Sequence, residues 1–243
     1  MEKIKILEAV KNLREFSKIR KFKQSVDIVI NLKEINVKKQ ESQIDQYVVL
    51  PHPKSRKLKI CALVGSELAD SAKVFDEVVL QRDFPKYQAN PKLISDLIKK
   101  YDLFVAQGNI MAQIATTFGR TLGPRGLMPN PKAGCVIAPG LDLNAVVQRL
   151  QRIVRLQAKK EPIIKASIGS EDMCDESLTD NILSAYNSLI HSLPQEEGSI
   201  KNVLLKTTMS PAIRIGEDKK EIEKRLVKEK PKKKETKKEM KNE

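Results

Sequence analysis

Apolar residues recur at Ile6, Val10, Leu13 and Phe16 with Lys, Arg and Glu between them, a helical period that predicts an amphipathic helix over about residues 2–19. The period then shortens. Val26, Ile28, Ile30 and Leu32 alternate with Asp27, Val29 and Asn31, as a half-buried strand requires. A second strand is expected over roughly Ile44 to Leu50, closed by Pro51 and Pro53. From Leu58 the texture changes: short apolar runs at 59–64, 77–80 and 103–106 alternate with helix-like segments at 66–73 and 91–100. That alternation describes a parallel α/β sheet, Rossmann-like in layout. Asp142 is placed to cap a helix running through Val146, Val147, Leu150, Ile153 and Val154, ended by Lys159 to Pro162. The first style returns afterwards, with a strand at 163–168, a helix at about 178–191, a strand at 200–208 and a short apolar run at 212–215.

Four strands and two helices are thus divided between the two ends of the chain. They predict a two-layer α+β domain built from residues 1–66 and 155–216, interrupted by an inserted three-layer, Rossmann-like α/β domain over 67–154. The two crossings, near Gly65 and Arg155, would form a hinge. Residues 217–243 alternate Lys and Glu and contain little apolar beyond Ile222, Leu226 and Val227, so a disordered or transiently helical tail is expected. It reads equally as a basic arm that skims RNA and as a solubilising extension.

Charge narrows the choice of partner. The 45 Lys and Arg exceed the 31 Asp and Glu by 14, which favours a polyanion. The tail holds 12 basic and 8 acidic residues, so most of the excess belongs to the body. Residues 1–66 hold 15 basic against 7 acidic, 67–152 hold 11 against 8, and 153–216 hold 7 against 8, making the N-terminal segment the electrostatic centre. Cys61, Cys135 and Cys174 lie far apart without CxxC spacing, which suggests neither a disulfide framework nor a zinc site and fits a reducing cytoplasm. No stretch approaches the ~20 apolar residues of a membrane span, and no signal peptide or anchor is read.

The most informative segment is Gly119-Arg120-Thr121-Leu122-Gly123-Pro124-Arg125-Gly126-Leu127-Met128-Pro129-Asn130-Pro131-Lys132-Ala133-Gly134. Its glycines and prolines argue against a long helix or central strand and describe a stiff, exposed loop from which Arg120, Arg125 and Lys132 project. It has neither the GxGxxG context nor the GK[ST] ending of a phosphate loop. In Thr207-Thr208-Met209-Ser210-Pro211, small hydroxyl residues stand at a strand end and Pro211 leaves the ladder, either freeing polar groups for ribose and phosphate or simply ending a strand. Around Lys18 to Asp27, Phe22 either stacks on a base among lysines or belongs to the core. No HExxH, GxSxG or spaced Cys-His pair is present, so no catalytic residue, metal or cofactor is expected.

The segment from Gly119 to Lys132, with Lys21-Phe22, Ser25-Val26-Asp27, Leu50-Pro51-His52, Lys165-Ala166-Ser167, Thr207 to Pro211 and Ile213-Arg214-Ile215, resembles the universal large-subunit ribosomal protein L-one family in its archaeal form. The resemblance spans about residues 3–216. It implies a first domain made of both chain ends, a second inserted in it, and rRNA binding mainly by the first. It further implies a place on the mobile rRNA stalk near the tRNA exit site in the cytoplasmic large subunit, help in releasing deacylated tRNA, and repression of the protein's own mRNA. The partners would be that rRNA, exit-site tRNA and the mRNA, with no membrane, and the free chain a monomer. By position, the RNA-contacting residues would be Phe22, Ser25, Asp27, Lys165, Ser167, Thr208, Met209 and Ser210; Ser210 departs from the bacterial glycine. Lys165, Ser167 and the 208–210 turn are expected on adjacent strands, framed by Phe22, Ser25 and Asp27. A regulatory RNA-binding protein acting off the ribosome is the alternative, separable by sedimentation with large subunits.

Overall fold

The computed structural model describes residues 2–33, 43–138, 140–159, 161–193 and 196–225. Along the chain run α1 (Lys3–Phe16), β1 (Ser25–Leu32), β2 (Ile44–Val49), β3 (Ile60–Val64), β4 (Glu77–Leu80), α2 (Phe84–Ala89), α3 (Pro91–Lys100), β5 (Leu103–Gln107) and α4 (Met111–Leu122). There follow β6 (Val136–Ile137), α5 (Leu143–Gln151), β7 (Ile153–Ala158), β8 (Ile163–Ser170), α6 (Asp175–Ile190), β9 (Ile200–Thr207) and β10 (Ile213–Arg214). Mixed α+β and α/β architecture divides into two compact units, Met1–Ser55 with Val154–Glu243, and Arg56–Ile153.

In the first unit a four-stranded antiparallel sheet has the order β10-β9-β1-β8. The apolar alternation of β1 puts Val26, Ile28, Ile30 and Leu32 inward, where Ile6, Val10 and Leu13 of α1 and Leu178, Ile182 and Leu189 of α6 complete the core. Antiparallel sheets commonly bury one face and wet the other. The second predicted strand, β2, does not join this sheet. It pairs instead with β7, and β10 takes the fourth place. A bidentate contact locks that ribbon: Arg155 Nε and Nη2 donate to the two Asp45 carboxylate oxygens at 2.8 and 2.7 Å, with the guanidinium 5.4 Å from the Tyr47 ring centroid.

Strand β7 also corrects the expected helix over 142–154. Asp142 does cap α5, accepting from the Asn144 N–H at 2.9 Å, but the helix ends at Gln151 and Ile153 and Val154 start a strand. The apolar run crosses the boundary, so helical periodicity alone carries the expectation past Gln151 and into the strand. The tail differs as well. Residues 219–225 are helical, Ile222 is fully buried in the core, Lys219 pairs with Glu15 at 2.5 Å, and Arg225 donates to the Ala212 carbonyl. One apolar residue with a free slot in the core outweighs a charged composition there; positions 226–243 lie outside the described residues.

The second unit has a wholly parallel sheet of order β4-β3-β5-β6. Cys61 and Leu63 with Phe104 and Ala106 pack on Ile94, Ile114 and Phe118, while Ile60, Ala62, Val64 and Val105, of opposite parity, are also buried. Burial on both faces explains the continuous apolar runs. Because β3 pairs with β4 and β5, the chain enters this unit at Ser55–Arg56, not near residue 66. It leaves between Ile153 and Val154. The Gln151 carboxamide bonds both the N–H and the carbonyl of Leu58 at 2.7 Å, tying the unit's entry to its last helix. The expected helix at 66–73 is instead two 3-10 turns, Ser66–Leu68 and Ser71–Val74, since Ala72 alone is buried there and no apolar stripe exists to hold an α-helix. Helices α2 and α4 were not anticipated.

Candidate nucleic-acid interface

The outward parity of the first unit's sheet brings together residues from distant parts of the sequence. Strand β1 is central, with Asp27 opposite Ser167 on β8 and opposite Lys206 on β9. One rung away, Val29 lies opposite Lys165 and Leu204, and Arg214 on β10 lies opposite Leu204. A third rung holds Asn31, whose Nδ2 donates to Asn202 Oδ1 at 2.6 Å. The open face is thus a strip of one carboxylate, three cations, a hydroxyl and two amides over small apolar patches. Among the described residues, none bonds the Ser167 hydroxyl or the Lys165 ammonium. Burial draws the Lys54 ammonium below the usual lysine value, and the nearby Asp27 charge pushes it back up.

This arrangement corrects the expected geometry. Lys165 and Ser167 are not on a strand adjacent to the 208–210 turn; β1 lies between β8 and β9, and Asp27 stands at the centre of the face, not at its frame. The paired-strand expectation failed because the N-terminal strand inserts between the two C-terminal ones, an order that local periodicity does not encode.

The turn after β9 is held from below by Gln24, which is 1 % exposed. Its Oε1 accepts from Thr207 Oγ1 and from the Met209 N–H, both at 3.2 Å, while Nε2 donates to the Lys18 carbonyl and Glu171 Oε2, both at 3.1 Å. A carboxamide suits this place because it is acceptor and donor at once. Thr208 and Ser25 exchange two bonds: the Ser25 N–H donates to Thr208 Oγ1 at 3.1 Å and the Thr208 N–H to the Ser25 carbonyl at 3.2 Å. The Ser210 hydroxyl accepts from the Thr207 N–H at 2.8 Å and donates to the Pro211 carbonyl at 3.0 Å, so it shapes the turn from within. Met209, 58 % exposed, and Phe22, 50 % exposed, stand outside the core. Lys23 is tied to Asp172 at 2.7 Å, which raises its pKa first through that hydrogen bond.

Gln24 beneath the turn, Lys54 near Asp27 and the outward place of Lys206 on the face are features that the reading of the residues did not single out as contacts. Lys206 was recoverable, since it follows Asn202 and Leu204 at period two opposite the buried Val203, Leu205 and Thr207. A buried glutamine before a strand carries no comparable signal.

The glycine-rich segment lies in the second unit. Its first four residues are the last turn of α4, with Leu122 buried, and Leu127, Met128 and Ala133 pack inward, so the loop is shorter than expected. Gly126 and Gly134 have φ of 69° and 71°, the left-handed region that other residues avoid. Arg120, Arg125 and Lys132 are exposed. Among the described residues no three His, Cys, Asp or Glu side chains gather as a metal site, and no helix is long and apolar enough to cross a membrane.

Residues 13–211 match the model of the ribosomal protein L1p/L10e family. The large ribosomal subunit protein uL1 of Pyrococcus horikoshii is 36% identical over 213 residues, covering 87% of this chain and 95% of that protein. That of Nanoarchaeum equitans is 37% identical over 213 residues, covering 86% and 98%. The Methanocaldococcus jannaschii protein is 31% identical over 220 residues, covering 90% and 98%.

Proposed function

The chain belongs to the ribosomal protein L1p/L10e family, and from that premise we propose that it is a structural constituent of the large ribosomal subunit whose split α+β unit grips the rRNA of the mobile stalk near the tRNA exit site. Proteins of this family are structural, not catalytic. The observation that carries the reading is the Ser167–Asp27–Lys206 rung on an open sheet face, beside a turn fixed by a buried glutamine. Folded RNA exposes 2′-hydroxyls across a wide, shallow groove, where a carboxylate can accept and a serine can do either. Asp27 accepts a ribose hydroxyl, Ser167 bridges, Lys165 meets phosphate, and Thr208 donates the proton that its bond from Ser25 leaves free. Met209 and Phe22 supply apolar contact, Ser25 sets the edge, and Ser210 keeps the turn in shape.

From the same reading follow three further roles: Arg120, Arg125 and Lys132 touch the backbone of tRNA leaving the exit site, the chain assists release of deacylated tRNA, and the sheet face represses the protein's own mRNA through an element resembling the rRNA site. Filter binding to large-subunit rRNA tests the core of this. Ser167→Ala and Thr208→Ala should each weaken binding about five- to tenfold, as loss of one good hydrogen bond does. The salt slope should be shallow, about −2 to −3, because few phosphates are neutralised. Unchanged binding in both variants would contradict the reading.

A further inference from the structure

The second unit contains a cleft of about 730 Å³ that takes no part in the sheet-face interface, within the range of about 300–1,000 Å³ in which single small groups are bound. It opens where Ser66 follows β3 and Gln81 follows β4, at the carboxyl ends of parallel strands and beside β3, from which the strand order runs outward in both directions. In open α/β sheets ligands sit at such places. Leu80 and Phe84 give the cleft apolar lining. Gln81 Nε2 donates to Gln113 Oε1 at 2.7 Å. That bond leaves the Gln81 carbonyl as an acceptor and the Gln113 amide nitrogen as a donor. Behind the cleft, Gly65 lets the Gln107 carboxamide approach, since a methyl group there would lie 3.0 Å from Gln107 Oε1, which accepts from the Gly65 N–H at 2.8 Å. Among the described residues lining the cleft, Arg82 is the one charged side chain. It is 80% exposed and only 4.0 Å from Asp83, whose carboxylate Lys86 holds at 2.8 Å.

We propose that this cleft takes a single unpaired nucleotide of an RNA strand. An acceptor and a donor on the two bonded carboxamides lining the cleft suit the edge of a nucleobase, whose flat face needs an apolar surface. One cation matches the one charge that each nucleotide carries within a strand, whereas a free triphosphate would find no glycine-rich cradle and no second cation. The inference goes beyond the sheet-face reading and does not depend on it.

NMR titration of the full chain with AMP, GMP, CMP and UMP, each beside its nucleoside and beside inorganic phosphate, tests the proposal. At least one mononucleotide should shift the side-chain amide signals of Gln81 and Gln113. Gln113→Ala should weaken that binding roughly fivefold, one neutral hydrogen bond's worth. Arg82→Ala should abolish the advantage of nucleotide over nucleoside. The proposal is overturned if phosphate alone reproduces the shifts, if no mononucleotide moves them, if Gln113→Ala binds as the parent does, or if a short peptide moves them where nucleotides do not.

Discussion

Gln24 shows how much of the candidate interface's shape depends on a buried residue. Its carboxamide serves Thr207 and Met209 on one side and Lys18 and Glu171 on the other, so the turn and the loop bearing Phe22 share one anchor. Gln24→Leu would leave the Thr207 hydroxyl and the Met209 N–H without their acceptor, at a stability cost of roughly 1–3 kcal/mol. Gln24→Glu would face the Glu171 carboxylate, and rRNA affinity should fall; adding Glu171→Gln, which returns a donor to the pair, should restore it. Melting temperature measured beside affinity across the three variants separates positioning from folding: affinity that falls while the fold stays intact is the positioning result. The exposed candidate residues follow from the resemblance by position, whereas the buried place of Gln24 does not, because it depends on strands brought together from opposite chain ends.

At the scale of elements, the C-terminal segment and the β2–β7 ribbon make separate predictions. Ile222 fills the core beside α1, so ending the chain after Gly216 should lower the melting temperature far more than ending it after Arg225, and Ile222→Ala alone should cost about 2–4 kcal/mol. In the ribbon, Arg155 holds the Asp45 carboxyl below the ordinary carboxylate range, chiefly by hydrogen bonding. A depressed pKa contributes stability above the unfolded value of about 3.9, and that contribution is lost as pH falls through the lower folded value. Melting curves should therefore fall more steeply below about pH 4 for the parent than for Asp45→Asn, which at neutral pH should already be less stable by roughly 1–2 kcal/mol. Elements with a clean period, α1, β1, β8 and β9, were legible in the sequence. The end of α5 was not, because Ile153 and Val154 continue its apolar run, and β2's partner was not, because β7 had been absorbed into that helix.

On the scale of the whole molecule, charge and function are distributed differently. The net excess of 14 favours a polyanion, whereas the sheet face proposed to meet RNA mixes Asp27 with Lys165, Lys206 and Arg214, and on that proposal recognition rests on shape and hydroxyl contacts more than on bulk attraction. The nesting of one unit within another lets the first and last thirds of the chain build that face jointly, with β1 from one and β8 and β9 from the other. Amide hydrogen exchange of the full chain, alone and bound to large-subunit rRNA, tests this most directly. Slowed exchange confined mainly to residues 20–29, 163–170 and 204–210 is the predicted result. Protection that leaves these three segments unchanged, with slowing elsewhere or nowhere, would contradict the account.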